Sequence, residues 1–183
     1  MDQKTDAEIV ARVLKGDRQA YDLLIDAYKG PVFNLAFRMT GSLPDAEDLT
    51  QEIFIRAYQK LYQFDQQKKY FTWVYTIAAN LIRNHLKKKS KEIQNHRKDR
   101  AFSESSSQKA DSGEEDLLSE ENMKRLDENM RKLPVDLREA IILKFHQDLT
   151  FEEVAAITGD SVSAVKMHVY RGLEKLKFMM DEK

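Results

Sequence analysis

Residues 71–89 read FTWVYTIAANLIRNHLKKK and bring three kinds of side chain together. Phe71 and Trp73 offer flat apolar faces. Asn80 and Asn84 each offer a donor beside an acceptor. Arg83, Lys87 and Lys88 offer positive charge. On a helical wheel at about 100° per residue, Val74, Ile77, Ala78, Leu81 and Ile82 fall together as a core stripe. Trp73, Thr76, Asn80, Arg83, Asn84, Lys87 and Lys91 form a second stripe. Ring, amides and cations therefore share one surface turned to solvent.

A helical framework must hold that surface. Pro and Gly are scarce, 3 and 6 in 183 residues, no window alternates apolar and polar for long, and a period near 3.6 recurs. The fold class is all-α. Apolar residues make up 42% and charged residues 33%, enough for a core under a heavily ionised surface. The length suits one mid-sized domain or two small ones. Cysteine is absent, which excludes disulfides and thiolate metal sites and points to a reducing cytoplasm. The start, MDQKTDAEIV, carries no secretory pattern, and no apolar run approaches the ~20 residues that span a bilayer. A cytoplasmic protein without membrane insertion is expected. Net charge is only −1, but residues 83–100 hold eight Lys/Arg against two acids, and residues 101–130 hold nine Asp/Glu against three bases. A cationic block abuts an anionic one.

Thr5 with Glu8 reads as a capping box opening a helix to about Lys15. A second helix starts near Asp17 with Ala20, Leu23, Leu24 and Ala27 on one face, and Gly30-Pro31 should interrupt it. A third runs from Pro31 to about Met39. A fourth runs from Pro44 to about Leu61, with Asp45, Glu47 and Asp48 near the positive end of its dipole. The opening stretch is the fifth. Residues 101–116, AFSESSSQKADSGEED, lack periodicity and cannot bury enough apolar area to offset ordering entropy. They read as a disordered acidic linker between a domain of residues 1–100 and a second of residues 117–183. Helical patterning resumes near Leu117. Leu133-Pro134 then opens a helix with Leu137, Ile141, Ile142 and Phe145 inward.

The segment LTFEEVAAITGDSVSAVKMHVYRGLEKL carries the most specific signal. Thr150 and Glu153 form another capping box, Gly159 supplies a turn, and Ser161 caps the next helix. There Val162, Val165, Val169, Leu173 and Leu176 point inward. Two short helices joined by a tight Gly-bearing turn are a helix-turn-helix, whose second helix enters the DNA major groove. Its outward residues are Ser163, Lys166, Met167, Tyr170 and Arg171. Lys and Arg can serve guanine acceptors or phosphates, and Met or Tyr can pack on thymine methyls.

Four collinear blocks now resemble a known family, the bacterial RNA polymerase sigma factors of the extracytoplasmic function (ECF) group within the sigma-70 family. They are AYDLLIDAYKGPVFNLAFRMTG, DAEDLTQEIFIRAYQKLYQF, FTWVYTIAANLIRNHLKKK and the helix-turn-helix preceded by LPVDLREAIILKF. The resemblance implies a region 2 helical bundle, a flexible linker and a region 4 helix-turn-helix. It implies docking of Asp48, Gln51 and Glu52 on the clamp coiled coil of the largest core polymerase subunit, with the flap of the second subunit as a further partner. It implies that the opening stretch melts and reads the promoter −10 element as a single strand. An unstacked base needs a ring or apolar recess, and base–aromatic stacking is worth ~1–3 kcal/mol. Phe64, Lys68, Lys69, Tyr70, Phe71, Thr72 and Trp73 would border that recess. Asn80, Arg83 and Asn84 would read or flank the base, and Lys87 and Lys88 would hold phosphates. Ser163, Lys166, Met167, Tyr170 and Arg171 would read the −35 duplex. Ser163-Ala164-Val165 stands where the family often has Gly-Thr-Val, which bears on −35 preference. An anti-sigma factor is a further implied partner.

Other chemistry finds no support. His85, His96, His146 and His168 lack metal-ligand spacing, no cofactor motif is present, and no nucleophile–base constellation is recognisable. No catalysis is expected of the chain alone. A rival reading is a helix-turn-helix regulator acting without polymerase, which should bind a palindromic duplex by itself. Another is a protein-interaction module with an incidental basic stripe, indifferent to loss of Asn80 or Lys166.

Overall fold

The computed structural model describes residues 3–99 and 116–181. Its helices are α1 (Gln3–Leu14), α2 (Ala20–Thr40), α3 (Leu43–Gln59), α4 (Tyr70–Asp99), α5 (Asp116–Lys132), α6 (Val135–Ile141), α7 (Phe151–Thr158) and α8 (Val162–Asp181). A 3-10 turn, Leu61–Gln63, follows α3, and a π-helical turn, Ile142–His146, continues α6. The all-α expectation is met. Residues 100–115, which hold nearly all of the acidic linker read from sequence, lie outside the described residues.

Local signals set several ends. The Ser42 hydroxyl accepts from Asp45 N–H at the start of α3, and Pro44 sits in that first turn, where a missing N–H costs nothing. The capping box at Thr150 is complete: its hydroxyl takes the Glu153 N–H at 3.1 Å, and Glu153 takes the Thr150 N–H at 3.1 Å. Gly41 and Gly159 close α2 and α7 in the left-handed region, at φ 68° and 80°. Thr5, in contrast, lies inside α1, which already begins at Gln3.

Gly30-Pro31 does not break the chain. α2 runs through Pro31 as one helix of 21 residues. Proline inside a helix costs about 3 kcal/mol. The offset is burial on both sides of it: Tyr21, Leu24 and Tyr28 before, Val32, Leu35, Ala36 and Met39 after, all on one stripe. Breaking the helix would pull that stripe off the core. Leu23, expected inward, is 46% exposed because Tyr21 and Leu24 define the face instead.

α1–α4 form one helical unit and α5–α8 a second, and their buried residues join in one continuous cluster. Two arginines of the second unit sit on the C-terminal end of α2. Arg138 Nη1 donates to Met39 O at 2.9 Å, and the Arg131 guanidinium lies over Gly41. Cations there oppose the negative end of the helix dipole.

In the second unit the π turn changes which side chains face inward. Gln147 N–H reaches back five residues to Ile142 O. The wider turn advances each residue by less than 100°, so Phe145 is 55% exposed where an unbroken α-helix would bury it. Along α8, Leu173 is 38% exposed and its neighbour Gly172 is buried instead. A Cβ on Gly172 would stand 2.5 Å from Ile141 Cδ1, so α6 and α8 approach through a missing side chain. Gly172→Ile should therefore lower unfolding free energy by about 1–3 kcal/mol through overpacking, measured by urea denaturation. Leu173→Ala, one residue on, should change it by about 0.5 kcal/mol or less; the reverse ranking would restore Leu173 to the core.

Candidate nucleic-acid interface

α4 is 30 residues long and carries the opening stretch. Val74, Ala78, Leu81 and Ile82 are buried, as the wheel predicts, and Ile77 is half-buried. Asn80, Asn84, Lys87 and Lys88 are exposed along one line of the helix. Lys88 stands 3.9 Å from Glu92, a loose surface pair.

The rings divide. Phe71 and Trp73 are half-buried, packed against the core with part of each residue left exposed. Phe71 lies 4.2 Å from the Tyr75 ring, and Trp73 lies 5.3 Å from Phe64 and 5.6 Å from Tyr70. Phe64 is 6% exposed and Tyr70 is fully buried. These two rings are therefore core, and the sequence reading that put them at the border of an open recess is corrected. A ring that opens a helix over a bundle falls inward when its neighbours are aromatic. Tyr28, Phe64 and Trp73 receive Tyr70, whose centroid is within 5.6 Å of each of theirs. Burial pushes the Tyr70 hydroxyl far above its usual range. Thr72 is half-buried, and Lys68 is exposed on the preceding loop. The Tyr28 hydroxyl donates to Asp6 at 2.5 Å, fastening α1 to this aromatic floor, and Gln3 Nε2 donates to Gln67 O at 2.8 Å in the loop itself.

Sequence reasoning missed a third face of α4. Tyr75 and Ala79 are buried, and α4 packs against the second unit chiefly through α7. The Tyr75 hydroxyl and the Gln147 side-chain oxygen are 2.8 Å apart. Lys69 is paired with Glu153 at 2.8 Å. The Arg83 guanidinium donates to Asn80 Oδ1 at 3.0 Å, approaches Thr158 O at 3.5 Å, and lies 3.6 Å from Glu139 Oε1. Two cations expected to meet DNA are thus held by α6 and α7. No local pattern signals this, because the partners lie 56 to 84 residues away.

Glu139 is 3% exposed. Burial pushes its carboxyl up to about 7, with Asp160 and Asp136 adding repulsion and Arg83 opposing it. His168 sits between those two aspartates, 3.8 Å from Asp136 and 4.0 Å from Asp160.

The helix-turn-helix stands as expected in α7 and α8. Ala155 is buried. Ala164 N–H donates to Ser161 Oγ at 3.2 Å, capping α8. Ser163, Lys166, Met167, Tyr170 and Arg171 all project into solvent from one side of α8, with Tyr170 64% exposed. On α3, Asp48, Gln51 and Glu52 are exposed, Glu52 is paired with Arg56, and Phe54 and Ala57 are core. Beside Gln51 runs an apolar groove between α2 and α3, walled by Tyr21, Ile25, Phe54, Ile55 and Tyr58. Ile55 is 56% exposed and Tyr58 40%. Gln51, Ile55 and Tyr58 are spaced i, i+4, i+7, and that outward stripe was the available signal.

Among the described residues no group of His, Cys, Asp or Glu could hold a metal ion, and no helix is long and apolar enough to cross a membrane. The geometry defines a helical protein with an exposed line of amides and cations on α4, an exposed polar face on α8 and a mainly apolar groove between α2 and α3. Comparison with known proteins agrees. Residues 24–92 match the family described as Sigma-70 region 2, and residues 123–176 that described as Sigma-70, region 4. The chain is 33% identical over 173 residues to the ECF RNA polymerase sigma factor SigW of Bacillus subtilis, with 92% of each covered. It is 35% identical over 180 residues to the ECF RNA polymerase sigma-E factor of Escherichia coli K12, covering 96% of this chain and 94% of that one. The sigma factor RpoE, in its co-crystal with the anti-sigma factor NepR from Bartonella quintana, shares the fold at TM-score 0.69 and 24% identity, covering 89% and 98% of the two chains. The chain belongs to the ECF RNA polymerase sigma factors of the sigma-70 family and is a transcription initiation factor.

The buried acid makes stability depend on pH with a definite sign. Glu139 has an ordinary value of 4.5 and a folded value of about 7, so folding takes up a proton between them and stability falls as pH rises through that window. Below it both states are protonated, and above it the penalty is constant. Glu139→Gln should melt about 3 °C higher than the parent at pH 8, with the gain gone at pH 4.5, read by thermal unfolding. An equal shift at both pH values would remove the buried-acid account.

Proposed function

We propose that the factor reads its promoter at two places with two chemistries. The −10 element is captured as a single strand on α4. Trp73 and Phe71 supply partial ring faces for an extruded base, Asn80 and Asn84 present hydrogen-bonding edges, and Lys87, Lys88 and Lys68 meet phosphates. The −35 element is read as duplex by Ser163, Lys166, Met167, Tyr170 and Arg171 on α8. The carrying observation is that exposed Asn80 and Asn84 share one line of α4 with Lys87 and Lys88, directly beyond half-buried rings.

Extruding a base costs a few kcal/mol, and the chain has no nucleotide-hydrolysis motif to supply it. Binding energy gained after unpairing drives the opening. Core polymerase docks on the α2–α3 groove, where Asp48, Gln51 and Glu52 engage the clamp coiled coil beside apolar Ile55 and Tyr58, and the flap of the second subunit meets the second unit. The division at residues 1–100, 101–116 and 117–183 lets both units dock at separated sites. Binding to polymerase separates the units, which frees Lys69 and Arg83 for the strand. An anti-sigma factor, like the NepR seen with its relative, would hold the free factor until a signal arrives, and the factor works in the bacterial cytoplasm.

Run-off transcription with purified core polymerase tests this. Asn80→Ala should cut promoter-specific transcripts by about tenfold or more, the scale of one base contact worth ~1–3 kcal/mol, while core binding survives. Gln51→Ala with Glu52→Ala should weaken core binding itself. Full transcription by Asn80→Ala, or tight specific duplex binding by the factor without polymerase, would overturn the proposal.

A further inference from the structure

Phe151 is the first residue of α7 and lies just outside the sequence reading of the DNA face. Its ring is half-buried against the core, with the remainder facing two ammonium groups. Lys166 Nζ stands over that ring at 5.5 Å from the centroid, and Lys144 Nζ at 5.2 Å. Lys144 is anchored separately, donating to Leu149 O at 2.8 Å. Lys166 is exposed and has no carboxylate within ion-pair distance among the described residues.

We infer that Phe151 is a positioning residue for promoter recognition, holding the Lys166 ammonium through its ring face so that α8 meets the duplex with that cation already placed. The inference rests on the reading of α8 as the −35 helix. A lysine is a point charge on a flexible stem, and an unplaced one loses rotamer freedom when it binds. A carboxylate partner would also place it, but would neutralise it and add repulsion toward phosphates. An aromatic face attracts the cation through its quadrupole and leaves the full charge available. Sharing the ring with Lys144 keeps the hold on Lys166 weak, because two like charges draw on one π system. A weak hold suits a group that must exchange a ring for a guanine acceptor or a phosphate within one binding event.

The geometry separates this role from packing. The buried part of the ring needs only an apolar body, which leucine or methionine also supplies. The effect on Lys166 needs a π face, which tyrosine retains. Core polymerase carrying the parent factor, Phe151→Leu, Phe151→Met, Phe151→Tyr, Lys166→Ala or the double variant Phe151→Leu/Lys166→Ala would select from a duplex library randomised over the −35 element. Bound sequences would be counted and melting temperatures measured alongside. Lys166→Ala should erase the base preference at one position of the library. Phe151→Leu and Phe151→Met should weaken the preference at that same position about two- to fivefold, the scale of an exposed cation–π contact, and leave other positions alone. Phe151→Tyr should restore it. In the Lys166→Ala background Phe151→Leu should change nothing further, since the two residues act as one unit. A Phe151→Leu effect that persists without Lys166, or a uniform loss across all positions, overturns the positioning role. No change at any position in Lys166→Ala overturns instead the reading of Lys166 as a base contact, and the inference falls with it.

Discussion

A helix has one circumference, and α4 divides its own among three neighbours. Val74, Ala78, Leu81 and Ile82 are buried on the core stripe, Tyr75 and Arg83 reach Gln147, Thr158 and Glu139 of the second unit, and Asn80, Asn84, Lys87 and Lys88 remain exposed to solvent. At about 100° per residue no face can widen without narrowing another. Arg83 sits on the boundary between the second and third faces, which is why it bonds both Asn80 and the second unit. The packing of α4 against both units, and the accessibility of the α4 residues proposed to meet the −10 element, follow from this partition.

The strand-facing surface is only as rigid as what lies under it. Tyr28, Phe64 and Tyr70 form an aromatic floor beneath Phe71 and Trp73, and Asp6 of α1 locks Tyr28 from the far side. Gln3 holds the loop at Gln67. The N-terminal helix thus helps fix the geometry beneath the proposed site. Buried aromatics supply large contact area with few torsions to freeze, so a half-exposed ring laid on them is presented at low entropic cost.

Features set by a few adjacent residues were legible in the sequence. The capping box at Thr150, the left-handed turn at Gly159, the Ser161 cap and the core stripe of α4 all depend on neighbours within one or two turns. So did the outward set on α8. Features set by distant packing were not. Pro31 reads as a breaker by propensity, and only the stripe buried on both sides of it overrides that preference. Phe145 and Leu173 follow a regular wheel on paper. A π turn and the close approach at Gly172 rotate or replace them in the fold. Phe64 and Tyr70 resemble Phe71 and Trp73 by type, and burial alone tells them apart. Arg83 and Lys69 carry no sequence mark of their partners Glu139 and Glu153, which belong to the other unit.

Those two ion pairs shape how the factor should feel its ionic surroundings. Cations that pass from free solution to DNA liberate condensed counterions, and added salt opposes that step steeply. On the proposed reading Lys69 and Arg83 would instead leave carboxylates for phosphates, and the pairs they leave are themselves screened by the same salt. One half of the exchange is hindered as ions accumulate while the other is eased. The two responses would partly cancel, so the grip proposed for an opened strand would be buffered against swings in ionic strength more than the count of basic residues suggests.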